Sequence, residues 1–296
     1  MMKIKDFGAL LALAALWGAS FLFIRIASPI IGPMLTIQGR VTIAAIALLF
    51  YIFMIRQSSQ FKRRWKQYLI IGALNAAIPF TLIAFAAIHI TASMSAIINS
   101  MTPLFTAIVV WVWMKEKLNI RKWLGILSGM IGVIILVGWS PIPLTSKVII
   151  SILLSVLSTV SYSIAGVYAK MNFGGVPPLS VAFGQQMGAS LLLIPFTLFQ
   201  LPESPAVITP IAAFSVVGLA LLCTAIAYLL YFYLIESVGP TKTLSVTFLI
   251  PLFGMLWGVL FLNEQISLGM IAGLIVLLSS IFLIFDFQPK RVTSKA

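Results

Sequence analysis

The residues able to do chemistry in this chain are few, and most are ones that lipid would penalise. Arg40 lies about seven residues inside an apolar run, roughly 10 Å from its nearer end at 1.5 Å per residue. A cation at that depth is either functional or a long side chain stretched out to the interface. If it stays inside, its forked donors suit a substrate carboxylate. Arg25 is nearer its own run's end and is expected to snorkel.

Asn99 and Thr247 are each followed four residues later by a proline, Pro103 and Pro251. Proline cannot donate to the carbonyl one turn back, so each pair predicts a kink beside a polar side chain and a freed carbonyl. Such backbone survives at membrane depth when it is buried or faces a wet cavity; plain helix packing is the alternative. Thr224, Tyr228 and Tyr231 recur at i, i+4 and i+7 and share one helical face. Trp17 with Ser20, Ser158 with Tyr162, and Gln185 with Gln186 add further hydrogen-bonding and aromatic groups. Together these residues describe aromatic walls with a few polar groups, suited to a small amphipathic or zwitterionic solute. That chemistry is binding rather than catalysis.

Composition agrees. There is one histidine, His89, and one cysteine, Cys223, so no metal or cofactor site is expected. No Gly-x-x-x-x-Gly-Lys-[Ser/Thr] loop is present, so nucleotide hydrolysis does not drive the protein directly. An intramembrane enzyme would need clustered His, Asp or Glu. Hydrophobic residues make up 61% and charged residues 8%, against about 45–50% and about 25% in soluble domains. Lipid must be the solvent. The net charge of +13 is spread between apolar segments, which points to membrane topology and not to nucleic acid.

The elements positioning these residues are ten apolar spans of about 20 residues. They are read at Phe7–Ala27, Pro33–Ile55, Tyr68–Ile88, Ala92–Met114, Trp123–Trp139, Val148–Ala169, Leu179–Phe199, Ile211–Ile235, Thr241–Leu262 and Leu268–Phe285. Arg56–Lys66 reads as a basic loop, and Glu203 falls in a polar link. His89 and the tryptophans Trp65, Trp123 and Trp139 are expected at the membrane interfaces.

The spans repeat. Shifted by 148 residues, Pro103-Leu104-Phe105 becomes Pro251-Leu252-Phe253, Glu116 becomes Glu264, and Gly125 becomes Gly273. A shift of 145 carries Pro33, Gly39 and Arg40 onto Pro178, Gly184 and Gln185. With six acidic residues in 296, the recurring glutamate is the strongest of these matches. The chain therefore reads as a five-span half over 1–140, a second over 147–287, and a basic cytoplasmic tail over 288–296. Glu116 and Glu264, at span ends, are expected to cap and orient the helix that follows each.

Placing the N-terminus in the cytoplasm puts every basic residue except Arg25, Arg40 and Lys147 on the inner side. Both termini are then cytoplasmic in a multi-pass cell (inner) membrane protein. An odd number of spans per half makes the second copy inverted. The loop at Lys115–Lys122 is basic while its copy at Asn263–Ser267 is not, as inversion requires. Inverted repeats are the architecture of secondary transporters, with the site between the copies near the midplane. One such chain encloses its own cavity, so a monomer suffices.

In Trp17-Gly18-Ala19-Ser20, Arg40, and the paired Pro103…Glu116 and Pro251…Glu264 blocks, the chain resembles the EamA-type branch of the drug/metabolite transporter superfamily. The resemblance extends over nearly the whole length. It implies an all-α, ten-helix permease whose fifth and tenth helices are peripheral and whose others surround a central cavity. It also implies export or facilitated passage of small metabolites, amino acids among them, by alternating access. A multidrug exporter for organic cations and a channel-like pore are the competing readings.

Overall fold

The computed structural model describes residues 3–140, 142–201 and 208–284. The tail 288–296 and the link holding Glu203 lie outside them. Among the described residues every regular element is helical: α1 Ile4–Ile31, α2 Pro33–Met54, α3 Phe61–Gly72, α4 Ile78–Ala86, α5 Ala92–Asn99, α6 Thr102–Met114, α7 Ile120–Gly138, α8 Ser146–Asn172, α9 Pro178–Leu198, α10 Pro210–Ala220, α11 Ala227–Val238, α12 Pro240–Thr243, α13 Val246–Leu262 and α14 Leu268–Ile284. A π segment at Ala73–Ala77 joins α3 to α4, and another at Leu221–Ile226 joins α10 to α11. Among the described residues, eight helical stretches are long and apolar enough to cross a membrane, and α13 and α14 are shorter apolar helices.

Polar side chains write the helix starts. Thr91, Asn119, Thr145 and Thr209 each cap a helix by accepting from the amide three residues on. Pro33, Pro178 and Pro210 open α2, α9 and α10, where a missing amide costs nothing. A single residue, Gly32, links α1 to α2, and its φ of 85° is one that a side chain would resist.

The ten expected spans are present, with three differences. The third begins earlier: Phe61–Lys66, expected as loop, is the first turn and a half of α3, because a charged turn stays hydrogen-bonded while projecting beyond the apolar region. The fourth is broken at Ser100–Met101, just before Pro103. The ninth is broken four residues earlier in the mirrored register, at Leu244–Ser245, and runs unbroken through Pro251. The expected matched kinks therefore differ. Asn99 O, the carbonyl that Pro103 leaves unpaired, accepts from Thr102 Oγ1 at 2.8 Å instead of facing a wet space.

Two ends of the bundle are defined by contacts. At the end carrying the basic loops, Tyr233 donates to Asp6, Gln57 to Ser180 and Arg64 to the Asn172 carbonyl. At the far end, Arg25 donates to the carbonyls of Ala87 and Ile88, so it holds a turn where snorkelling was expected.

Helices α7 and α14 form a pair at the side of the bundle, packed chiefly on each other and also against α6 and, through Phe282 on Phe248, against α13. Small residues bring them together. A Cβ on Gly125 would lie 2.9 Å from the Ser280 carbonyl, and one on Gly273 would lie 2.8 Å from that of Gly132. The same device crosses α1 over α13, where a Cβ on Gly18 would lie 2.9 Å from the Gly254 nitrogen. Gly18 of the Trp17–Ser20 motif is thus a packing residue, which leaves Trp17 and Ser20 to face inward. Trp65, Trp123, Trp139 and His89 are exposed, as interfacial side chains would be.

Candidate functional site

Helices α1, α2, α4, α5, α6, α8, α11 and α13 enclose a cavity of about 350 Å³ between the two halves of the chain. Its polar centre is Arg40, carried on α2. This side chain is 5% exposed and does not run out to an interface. Its Nε donates to Thr224 Oγ1 at 3.0 Å, and the guanidinium lies 3.5 Å from the ring centroid of Phe80. A cation over an aromatic face is attracted by the ring quadrupole. Thr224 can receive the arginine because it belongs to a π segment. The wider turn frees the Leu219 carbonyl, which the Thr224 hydroxyl satisfies at 2.9 Å, and this fixes the oxygen that Arg40 meets.

The aromatic walls form two groups. Trp17 packs against Tyr231, with ring centroids 5.4 Å apart, and edge-on against Tyr228 at 6.5 Å. Across from them Phe80 and Tyr162 meet edge-to-face at 6.3 Å. Ser20, Asn99, Thr247, Pro103 and Pro251 complete the lining among the residues picked from the sequence. The Asn99 Oδ1 atom is buried with no hydrogen-bond partner among the described residues, an acceptor left open beside the cavity. Thr247 turns its hydroxyl back to the Leu244 carbonyl at 2.8 Å.

Gln185 is placed differently from expectation. It is buried behind the wall, accepting from Asn75 Nδ2 at 2.7 Å and donating to the Tyr228 hydroxyl. Its amide is committed at both ends, so it orients Tyr228 instead of facing the cavity. Gln186 is likewise buried behind the wall, and Ser158 bonds its own helix at the Ser155 carbonyl.

Asn75, Phe80 and Ile83, which do not stand out in the sequence, also lie on the wall. A signal for them was present. The shift of 148 carries Phe80 onto Tyr228, Ile83 onto Tyr231 and Asn75 onto Cys223, which also lines the cavity. The shift of 145 carries Trp17 onto Tyr162 in the same way. The two π segments start 148 residues apart, at Ala73 and Leu221.

The glutamates do not cap the helices that follow them. Glu264 accepts from the amides of Ala92 at 2.7 Å and Ser93 at 3.0 Å and from the Ser93 hydroxyl, so it caps α5 in the other half of the chain. Glu116 is exposed and makes no hydrogen bond or ion pair among the described residues; Asn119 caps α7 in its place.

Comparison with known proteins bears on this arrangement. The EamA-like transporter family matches residues 6–138 and 149–286. An uncharacterized transporter of Bacillus subtilis, YoaV, is 22% identical over 98% of this chain and 100% of its own. Protein PecM of Dickeya dadantii is 23% identical over 97% of this chain and 94% of its own. An uncharacterized inner membrane transporter of Escherichia coli, YedA, is 25% identical, covering 96% and 93% respectively. A crystal structure with a TM-score of 0.66 and 16% identity covers 95% of this chain and 96% of its own, and shares the fold. Family matches that take in both groups of cavity-lining helices, and relatives of the same length, lead to one conclusion: this multi-pass, all-helical membrane protein belongs to the EamA-like transporter family.

Proposed function

We propose that the protein is a secondary transporter of small carboxylate-bearing metabolites, amino acids among them, working as an exporter or facilitator by alternating access. The observation that carries the substrate class is Arg40, buried in the cavity wall with only its Nε hydrogen-bonded among the described residues. Its two terminal nitrogens supply the planar pair of donors that a carboxylate matches. In a cavity screened from water such a pair is stronger than at a surface. Asn99 then offers an open acceptor to an ammonium or amide, and Trp17, Tyr228 and Tyr231 take the apolar part of the solute.

The two halves are inverted copies, with the substrate held between them. Positive-inside charge supports a cytoplasmic basic end, with both termini on that side of the cell membrane, and a cavity lined by one chain supports a working monomer. The aromatic walls by themselves would also suit an organic cation, the second reading, but that solute would meet the charge of Arg40.

The test is counterflow in proteoliposomes. Radiolabelled amino acids, other monocarboxylates and organic cations are offered to the wild type and to Arg40→Gln. Carboxylates should be carried by the wild type and nearly lost in the variant, and organic cations should gain passage. Wild-type carboxylate transport by a well-folded Arg40→Gln protein would overturn the assignment.

A further inference from the structure

Within this alternating-access reading, we propose that the hairpin at each end of the bundle is a gate fastened by a cation–carboxylate clamp. The far-end clamp is closed here and the basic-end clamp is released. The closed clamp is visible. The turn from Ala87 to Ser93 receives Arg25 Nη1 on the carbonyls of Ala87 and Ile88, the latter at 2.9 Å. It receives the Glu264 carboxylate on the amides of Ala92 and Ser93. The C-terminal carbonyls of α4 carry partial negative charge and the first amides of α5 partial positive charge, so each ion meets its complement. One grip comes from α1 and the other from the turn after α13. The hairpin cannot swing away until both let go.

The released clamp follows from the two repeat registers. The shift of 145 carries Arg25 onto Lys170. The shift of 148 carries Glu264 onto Glu116, Ala87 and Ile88 onto Ile235 and Glu236, and Ser93 onto Thr241. Charge is kept at both mirrored positions in a chain with six acidic residues. The turn presenting each carboxylate is also kept: Asn263 has φ 53° and Lys115 has φ 59°. Yet Lys170 and Glu116 are both exposed, and the Lys170 ammonium comes only within 4.0 Å of Met114 Sδ. The parts of a second clamp are in place but apart.

The two clamps are also unequal. Gly258 makes room for the closed one, since a Cβ there would lie 2.4 Å from Glu264 Oε2 and 2.6 Å from Ser93 Oγ. Its counterpart is Val110, and the counterpart of Ala92 is Pro240, which has no amide hydrogen. The basic-end clamp therefore has one donor fewer and a filled cradle, so the state fastened at the far end is the favoured one. Arg25, Glu264, Lys170 and Glu116 are positioning residues, set apart from the cavity wall.

Gate position is read without any solute. In a Cys223→Ser background, Ile83→Cys places one thiol on the cavity wall, and a membrane-impermeant maleimide is applied to cells from outside. Labelling should be slow in this parent and rise about ten-fold on removing one charge-assisted contact in Glu264→Gln. Gly258→Val should act in the same direction without touching a charge. Glu116→Gln should give no rise and should slow net transport. Unchanged labelling in both Glu264→Gln and Gly258→Val, in protein with parental melting behaviour, overturns the clamp while leaving alternating access intact. Transport with no outside labelling in any variant overturns both.

Discussion

The two halves of the chain supply the same positions to the cavity and different chemistry. The first half contributes Trp17, Arg40, Asn75, Phe80, Ile83 and Asn99; the counterparts are Tyr162, Cys223, Tyr228, Tyr231 and Thr247 on the wall and Gln185 behind it. On the wall, charge and carboxamides come from the first half and phenol hydroxyls from the second. Repetition therefore fixed where side chains sit, and divergence gave each half different chemistry to place there. A solute with a charged head and an apolar body fits such a space in one orientation. A symmetric cavity would not have chosen between its ends.

The comparison breaks most completely at Arg40. Arg40→Gln, which makes this position resemble its counterpart Gln185, should lower carboxylate counterflow by about ten- to hundred-fold. This is the range set by hydrogen bonds to charged groups of about 1.5–3 kcal/mol. Arg40→Lys should fall between, because an ammonium keeps the charge and loses the fork. Equal loss in Lys and Gln variants would show that fork geometry, and not charge, selects the solute.

A smaller effect is expected across the cavity. Tyr228→Phe removes the hydroxyl that Gln185 holds, and Gln185→Leu removes the holder while stranding Asn75. Each should weaken transport several-fold. The double variant should be little worse than either, since both cut one chain of hydrogen bonds. Additive losses in initial-rate assays would make the two residues independent.

Outside the cavity the expected effect falls on stability alone. Gly273→Ala places a methyl 2.8 Å from the Gly132 carbonyl, a backbone atom that cannot turn aside. Overpacking of this kind costs about 1–3 kcal/mol, so detergent-solubilised protein should melt earlier while keeping its solute preference. The smallest change is expected at the prolines. Pro103→Ala should alter transport modestly, since the helix is broken just before it. Pro251→Ala should alter it less, since α13 already runs through that residue.

Much of this was legible beforehand. Ten spans follow from hydropathy, and Arg40, Trp17, Tyr162, Tyr228, Tyr231 and Asn99 stood out as polar or aromatic groups on apolar helices. Three things were hidden for distinct reasons. Phe80 and Ile83 are ordinary apolar residues, indistinguishable from lipid-facing neighbours unless the repeat register is applied to the tyrosines. Gln185 lies on α9, from which no residue lines the cavity, and its amide is consumed by Asn75 and Tyr228, which only spatial proximity reveals. Glu264 lies 172 residues from the amide of Ala92 that it binds, and no local capping rule reaches across the two halves.

The π segment at Ala73–Ala77 sets the phase of everything after it. Residues of an α-helix advance by about 100° each, and a π turn stores one extra residue without ending the helix. Deleting one residue as Ala73–Ala77 closed to plain α-helix would leave the phase of α4 unchanged, but closing it with every residue kept would rotate α4 by about that angle. Phe80 would leave the guanidinium of Arg40, and Ile83 would leave the wall. An extra residue in one turn, kept again at Leu221–Ile226, acts as an angular offset that aims each half's side chains at the common centre.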